Sequence, residues 1–201
     1  MTFPNNMNGT ANIKGLILCG GYSTRMQEDK SMIAYHGVPQ WKYLAEVLQQ
    51  LVPEVYLSCR EDQLPGFESY DRFIVDSVPA KGPSAGLLSA HQKEPGTAWL
   101  VVACDLPLLS AESLHYLLQH RNPAKAATTF VSPVNHLAEP LITIWEPAAL
   151  NALKRNVENG MNCPRKTLLN IDIELLDNPR AEEQFNANTP EDRDTALKSG
   201  R

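Results

Sequence analysis

The chain lacks the marks of a zinc protein, a secreted protein and a membrane protein. Its four cysteines, Cys19, Cys59, Cys104 and Cys163, form no C-x-x-C pair, so the spacing of a structural zinc site is missing. No apolar run approaches the roughly 20 residues that a membrane-spanning helix needs. The segment Met1 to Asn12 is polar and has no apolar signal core; the expectation is a flexible tail over residues 1–12 on a cytoplasmic protein. A basic excess is also absent. Against 23 Asp and Glu stand only 18 Lys and Arg, a formal net charge of −5, which is a poor balance for binding nucleic acid. An anionic ligand must then be held by a few local cations, and this draws attention to Arg25, Lys30 and Lys81. Cys19, Cys59 and Cys104 each close an apolar run and read as small buried hydrophobes in a reducing compartment.

Two phosphate-binding motifs are missing as well. The P-loop pattern fails because Asp29 precedes Lys30, and G-x-G-x-x-G fails because Gly20 and Gly21 are adjacent with no later glycine in place. What is present is a different glycine turn, Leu18-Cys19-Gly20-Gly21-Tyr22-Ser23-Thr24-Arg25-Met26-Gln27-Glu28-Asp29-Lys30, directly after the apolar run Ile13–Cys19. A strand that ends in paired glycines exposes backbone N–H groups with no side chain in the way, and such a turn can wrap an anion. Arg25 offers two donors to a phosphate and Lys30 a point charge, so a polyphosphate is the expected ligand.

Apolar runs alternate with helical patterns along the rest of the chain. Strands are predicted at Ile13–Cys19, Glu54–Cys59, Phe73–Val75, Trp99–Cys104, Ala126–Val131, Leu141–Trp145 and Ile171–Leu176. Helices are predicted at Pro39–Leu51, Ser84–Gln92, Ser110–His120, Pro147–Asn159 and Arg165–Leu169, with a last one capped by Thr189 and opened by Pro190. This β-α-β alternation predicts an α/β fold: one three-layer α/β/α domain over residues 13–201, its sheet mostly parallel and covered by helices on both faces.

Asp105 follows the most apolar of these runs, in Val101-Val102-Ala103-Cys104-Asp105-Leu106-Pro107. Ligands of open α/β sheets bind outside the carboxyl ends of the strands, so Asp105 and the glycine turn are expected to face one crevice. A carboxylate repels a triphosphate unless a cation lies between them. Mg²⁺ is held by one or two carboxylates plus substrate phosphates, which makes Asp105 the candidate magnesium ligand. Asp76, at another strand end, can accept from a base or ribose. Lys81-Gly82-Pro83-Ser84-Ala85-Gly86 opens a helix with small residues that let a nucleoside approach the backbone. Asn186 and Asn188, in Asn186-Ala187-Asn188-Thr189-Pro190, are candidates for a second substrate. Arg165 and Lys166 are candidates for its phosphate, and His136 and Glu139, before a strand, are candidates to face the acceptor. No Ser-His-Asp or Cys-His grouping is evident.

Together these segments resemble the nucleotidyltransferase family that contains molybdenum cofactor guanylyltransferase. Leu18 to Lys30 is similar to its L-A-G-G-x-S-x-R-M-G-x-D-K, with Cys19 in place of alanine and Gln27 in place of glycine. Gly82-Pro83-Ser84-Ala85-Gly86 is similar to G-P-L-A-G, Cys104-Asp105-Leu106-Pro107 to C-D-x-P, and Asn186 to Asp192 to N-x-N-T-P-E-[DE]. The resemblance implies a Rossmann-like nucleotidyltransferase fold and transfer of GMP from MgGTP to the phosphate of molybdenum-loaded molybdopterin, with release of pyrophosphate. It implies nucleotide contacts at Leu18, Cys19, Gly20, Lys30, Asp76 and Asp105, with Asp105 on the metal. The turn itself adds Gly21, and compensating the charge of two anions makes Arg25, Lys30 and Asp105 the catalytic candidates. The resemblance also implies contacts with other proteins of molybdenum cofactor biosynthesis. Cytidylyl transfer, transfer to a sugar phosphate, and a non-catalytic nucleotide-binding homologue are the alternatives.

Overall fold

The computed structural model describes residues 12–21, 26, 28–67 and 69–199; the tail over residues 1–11, Arg25 and Gln27 lie outside them. In chain order the elements are β1 (Ile13–Leu18), α1 (Gln40–Gln49), β2 (Val55–Cys59), β3 (Phe73–Val75), α2 (Pro83–Lys93), β4 (Ala98–Ala103), α3 (Ala111–Gln119), β5 (Ala127–Val131), β6 (Ala138–Trp145), α4 (Pro147–Glu158), α5 (Pro164–Leu168), β7 (Ile173–Leu176) and α6 (Pro190–Ser199). Short 3-10 helices at Lys30–Met32, Glu61–Phe67 and Ala181–Gln184 join them. These have no sequence signature as clear as an amphipathic helix, because each is too short to show a period.

One seven-stranded sheet runs in the order β3-β2-β1-β4-β6-β5-β7. Its strands are parallel except β6, which runs against both β4 and β5. β4 lies near the middle, and all six of its residues are buried, as expected for a strand covered on both faces. β6 starts at Ala138, ahead of the expected Leu141, so Glu139 lies inside the strand and not before it. Pro140 disguises this start. It has no N–H for the ladder, and it sits where pairing with β5 slips between Thr129 and Val131.

Helices cover both faces. Trp41, Leu44 and Leu48 of α1 and Leu114 and Leu117 of α3 pack with Ile17, Leu57 and Val102 on one side. Leu87 of α2, Leu150 and Leu153 of α4 and Leu168 of α5 pack with Leu16, Trp99 and Val101 on the other. Burying each such side chain contributes about 1.5–3 kcal/mol. The caps are local: Ser110 accepts from Ser113 N–H at the start of α3, Pro147 opens α4, and Gly160 follows it at φ 83°, a left-handed turn that costs glycine nothing. At α6, Thr189 Oγ1 accepts from Asp192 N–H while Asp192 Oδ2 accepts from Asn188 and Thr189 N–H, a reciprocal capping box.

The first turn of α2 presses on the ends of β1 and β2. A Cβ built on Gly86 would strike Ser58 Oγ and come within 2.8 Å of Leu18 Cδ2. Gly86→Val is expected to overpack this seam by about 2 kcal/mol, lowering the melting temperature by roughly 4–8 °C. Gly96→Ala, where a Cβ meets nothing within 4 Å, should melt with the parent; equal melting of both variants would contradict the seam.

Candidate active site

The connections from β1 leave toward β2 on one side, while β4 lies on the other. This reversal opens a crevice at the carboxyl ends of β1 and β4. Leu18, Cys19, Gly20, Gly21, Lys30, Asp76 and Asp105 all line it. Two distant parts of the chain thus meet: Lys30 Nζ stands 3.9 Å from Asp105 Oδ2. Lys30 follows Asp29, whose Oδ1 accepts from both Ser31 N–H and Ser31 O–H and so caps the short 3-10 helix that carries the lysine.

Asp105 is the most constrained carboxylate of the crevice. Burial pushes its pKa up; Lys30, the Asn186 side chain and its own backbone N–H pull the other way without overcoming it. Its Oδ1 is buried and has no hydrogen-bond partner. An oxygen left unsatisfied costs about 1–3 kcal/mol, which fits a carboxylate shaped to take a ligand or cation. Among the described residues no three His, Cys, Asp or Glu side chains gather into a metal-binding group. Asp105 is thus a carboxylate of the crevice that could help hold a cation together with a ligand's phosphates.

The C-terminal segment completes this corner. Asn188 Oδ1 accepts from Lys30 Nζ at 2.6 Å, and Ala187 N–H donates to the Asp105 carbonyl at 2.8 Å. Asn186 and Asn188, expected at a second substrate, thus reach the carboxylate and the lysine. Met26, buried with Ile33 and Ala187, anchors the end of the glycine turn to this segment, and Arg193 pairs with Glu28 at 2.7 Å.

On the other flank, Ser58 O–H donates to Asp76 Oδ1 at 3.1 Å. A Cβ on Gly20 would lie 2.7 Å from Asp76 Oδ2, so only glycine lets the turn pass this close. Burial raises the Asp76 pKa, opposed by the Ser58 hydrogen bond and Arg60. Gly82, at φ 58°, turns the chain into α2 beside the crevice. Lys81 is exposed, and its carbonyl accepts from Asn162; it is not part of the lining.

Arg165 stands apart from the lining. It pairs with the buried Glu139 at 3.1 Å and donates to the Ala138 carbonyl. The Glu139 carboxyl is pushed up by burial, with Leu141 N–H and Arg165 opposing. Cys19 and Cys104 are buried with sulfurs 3.2 Å apart. Burial pushes the Cys19 thiol well above its usual range and that of Cys59 up to about 11, so these are neutral, inert thiols, as expected of buried small hydrophobes. The sequence reading missed Ser58, Arg60 and Gln63 around the turn. No local motif marks them, since they lie in and after β2 and meet the turn only through the sheet. No described helix is long and apolar enough to cross a membrane.

Residues 15–171 match the MobA-like NTP transferase domain. A molybdenum cofactor biosynthesis bifunctional protein of Synechocystis sp. is 33% identical over 180 residues, 89% of this chain and 52% of that protein; the chain spans about half of that relative's length. A molybdenum cofactor guanylyltransferase of Pseudomonas fluorescens is 27% identical, with 88% of this chain and 89% of that protein covered. Among solved structures, molybdopterin-guanine dinucleotide biosynthesis protein A of Archaeoglobus fulgidus superposes with a TM-score of 0.77 at 22% identity over 92% of this chain and 97% of that one. Its fold is the three-layer α/β fold described above, and the chain belongs to the MobA-like NTP transferase family as a nucleotidyltransferase enzyme.

Proposed function

We propose that the crevice binds GTP with Mg²⁺ and that the enzyme transfers GMP to the terminal phosphate of a molybdopterin, releasing pyrophosphate, as a single cytoplasmic domain over residues 13–201. The observation that carries this reading is the pairing of a lysine with a partly buried carboxylate, one of whose oxygens is buried without a partner, across a glycine turn. The name molybdenum cofactor guanylyltransferase, carried by curated relatives, supports a guanylyl donor and a molybdenum-cofactor acceptor.

In this reading the N–H groups of Gly20 and Gly21 take the distal phosphates, and Lys30 offsets charge on the phosphoryl group as it is attacked. Arg25 joins them by its place in the motif. Asp105 would hold Mg²⁺, which supplies charge neutralisation between the two anionic substrates. Leu18, Cys19 and Asp76 flank the nucleoside. Asn186 and Asn188 hold Asp105 and Lys30 at the boundary with the acceptor, and Arg165 lies toward the acceptor phosphate. A phosphate monoester is already largely ionised at pH 7, its second pKa being about 6. No strong general base is needed; the work is positioning and charge compensation. Transfer is direct, without a covalent enzyme intermediate.

The test is a nucleotide panel with Mg²⁺, with and without molybdopterin, read as pyrophosphate release. Turnover with GTP and molybdopterin is expected to exceed that with CTP, ATP or a sugar-phosphate acceptor. Preference for CTP would move the assignment to cytidylyl transfer. Tight GTP binding without turnover on any acceptor would point to a non-catalytic homologue. Ping-pong kinetics would exclude direct transfer.

A further inference from the structure

The connection after β2 grips the glycine turn from behind. Gln63 Nε2 donates to the Cys19 carbonyl at 3.0 Å. Arg60 Nη1 donates to the Gly20 carbonyl at 3.0 Å and to the Gly21 carbonyl at 2.8 Å. Three consecutive carbonyls are therefore drawn to one side. In a trans peptide unit the C=O of one residue and the N–H of the next point in opposite directions, and the described chain has no cis peptide bond. Holding the carbonyls of Cys19 and Gly20 toward Gln63 and Arg60 thus turns the N–H groups of Gly20 and Gly21 the other way. Gly20 and Gly21 line the crevice, whereas Arg60 and Gln63 do not.

Gln63 does more than hold one carbonyl. Its Nε2 also donates to Asp29 Oδ2 at 2.7 Å, the second oxygen of the carboxylate that caps the lysine-bearing 3-10 helix. Its Oε1 accepts from Arg60 N–H at 3.0 Å. The carboxamide is buried, at 6% exposure, and both ends of it are used. It joins the turn, the segment that carries Lys30 and the β2–β3 connection. Phe67, fully buried in the core cluster, fixes the same 3-10 helix from its other end. Only a side chain that donates twice and accepts once at this reach satisfies all three neighbours, and a carboxamide does so without charge.

We infer that Gln63, with Arg60, is a positioning residue for the nucleotide's phosphate chain: it aims the glycine-turn amides and sets the register between them and Lys30. This rests on the reading of the crevice as a nucleoside triphosphate site. Neither residue lines the crevice, so each acts through the backbone it holds.

The test compares MgGTP affinity by calorimetry with steady-state KM and kcat for wild type, Gln63→Met, Gln63→Glu and the double variant Asp29→Asn/Gln63→Glu. Gln63→Met should raise the GTP KM about tenfold, the scale of a lost buried hydrogen bond, and leave the KM for the acceptor unchanged. Gln63→Glu should be worse, because its carboxylate faces Asp29 and a carbonyl. The double variant should recover part of that loss, since the carboxamide introduced at position 29 can donate to the carboxylate introduced at position 63. Arg60→Met, at a partly exposed side chain, provides the second variant should Gln63→Met fold poorly, and it too should raise the GTP KM selectively. Wild-type affinity in Gln63→Met, or equal rises in both KM values with no recovery in the double variant, would overturn the inference alone. Absence of any nucleotide binding by wild type would overturn the proposed function with it.

Discussion

Asp105→Asn should remove nearly all turnover and at the same time make the nucleotide-free protein melt at a higher temperature. The two effects share one cause. Burial raises the folded pKa of Asp105 despite Lys30 and Asn186, so the ionised carboxylate is less favourable in the fold than in the unfolded chain, where its pKa is about 3.9. Below that value the carboxyl is protonated in both states, and its burial carries no charge penalty. As pH rises through the raised folded value, folding must either keep a proton the unfolded chain has lost or bury a charge, and stability is lost. Asparagine has no such cost. Its advantage should therefore be present at neutral pH and should vanish toward pH 4. Activity should fall about a thousandfold, or roughly 4 kcal/mol of transition-state stabilisation, because the proposed magnesium ligand is gone. Saturating MgGTP should reverse the order of melting, since only wild type gains fully from the ligand. Thermal melts from pH 4 to 8 with and without MgGTP check this. A variant that melts lower at neutral pH without ligand would refute the account of Asp105.

Lys30→Ala should lower kcat/KM by about 100- to 1,000-fold, the range for removing one preorganised charge at a reacting phosphoryl group. It should also move the acid limb of the pH–rate profile upward. Lys30 is the largest influence holding the Asp105 pKa down against burial, so without it Asp105 stays protonated to higher pH. Lys30→Arg should not restore activity. The ammonium fits within 2.6 Å of Asn188 Oδ1 and 3.9 Å of Asp105, and a planar guanidinium has a different reach and donor geometry. Full activity in Lys30→Arg, or an acid limb that does not move in Lys30→Ala, would separate the lysine from Asp105.

The strand-and-helix series, the mostly parallel sheet and the shared crevice of Lys30 with Asp105 were legible because each depends on a local pattern. Ala98–Ala103 is apolar throughout, Pro147 and Gly160 bracket α4, and Thr189 and Asp192 make a capping box within one turn. Strand order was not legible at that level. Nothing near Ala138–Trp145 says that this strand runs backward between β4 and β5, and Pro140 conceals where its pairing begins. Long-range side-chain geometry was hidden for the same reason. Asn186 and Asn188 read as candidates for a second substrate; that they reach Asp105 and Lys30 depends on the chain's return to the far end of β4. Gln63 sits in a short 3-10 helix around Pro65, with no period to mark it, and its partners include two segments far from it in sequence.

The hydrogen bond between Lys30 and Asn188 joins residues 158 positions apart. A ribosome delivers the lysine long before the asparagine, so a growing chain can shape the glycine loop well ahead of locking the ammonium in place. If the crevice takes GTP as proposed, nascent chains halted short of the asparagine should hold the nucleotide less tightly than the finished chain.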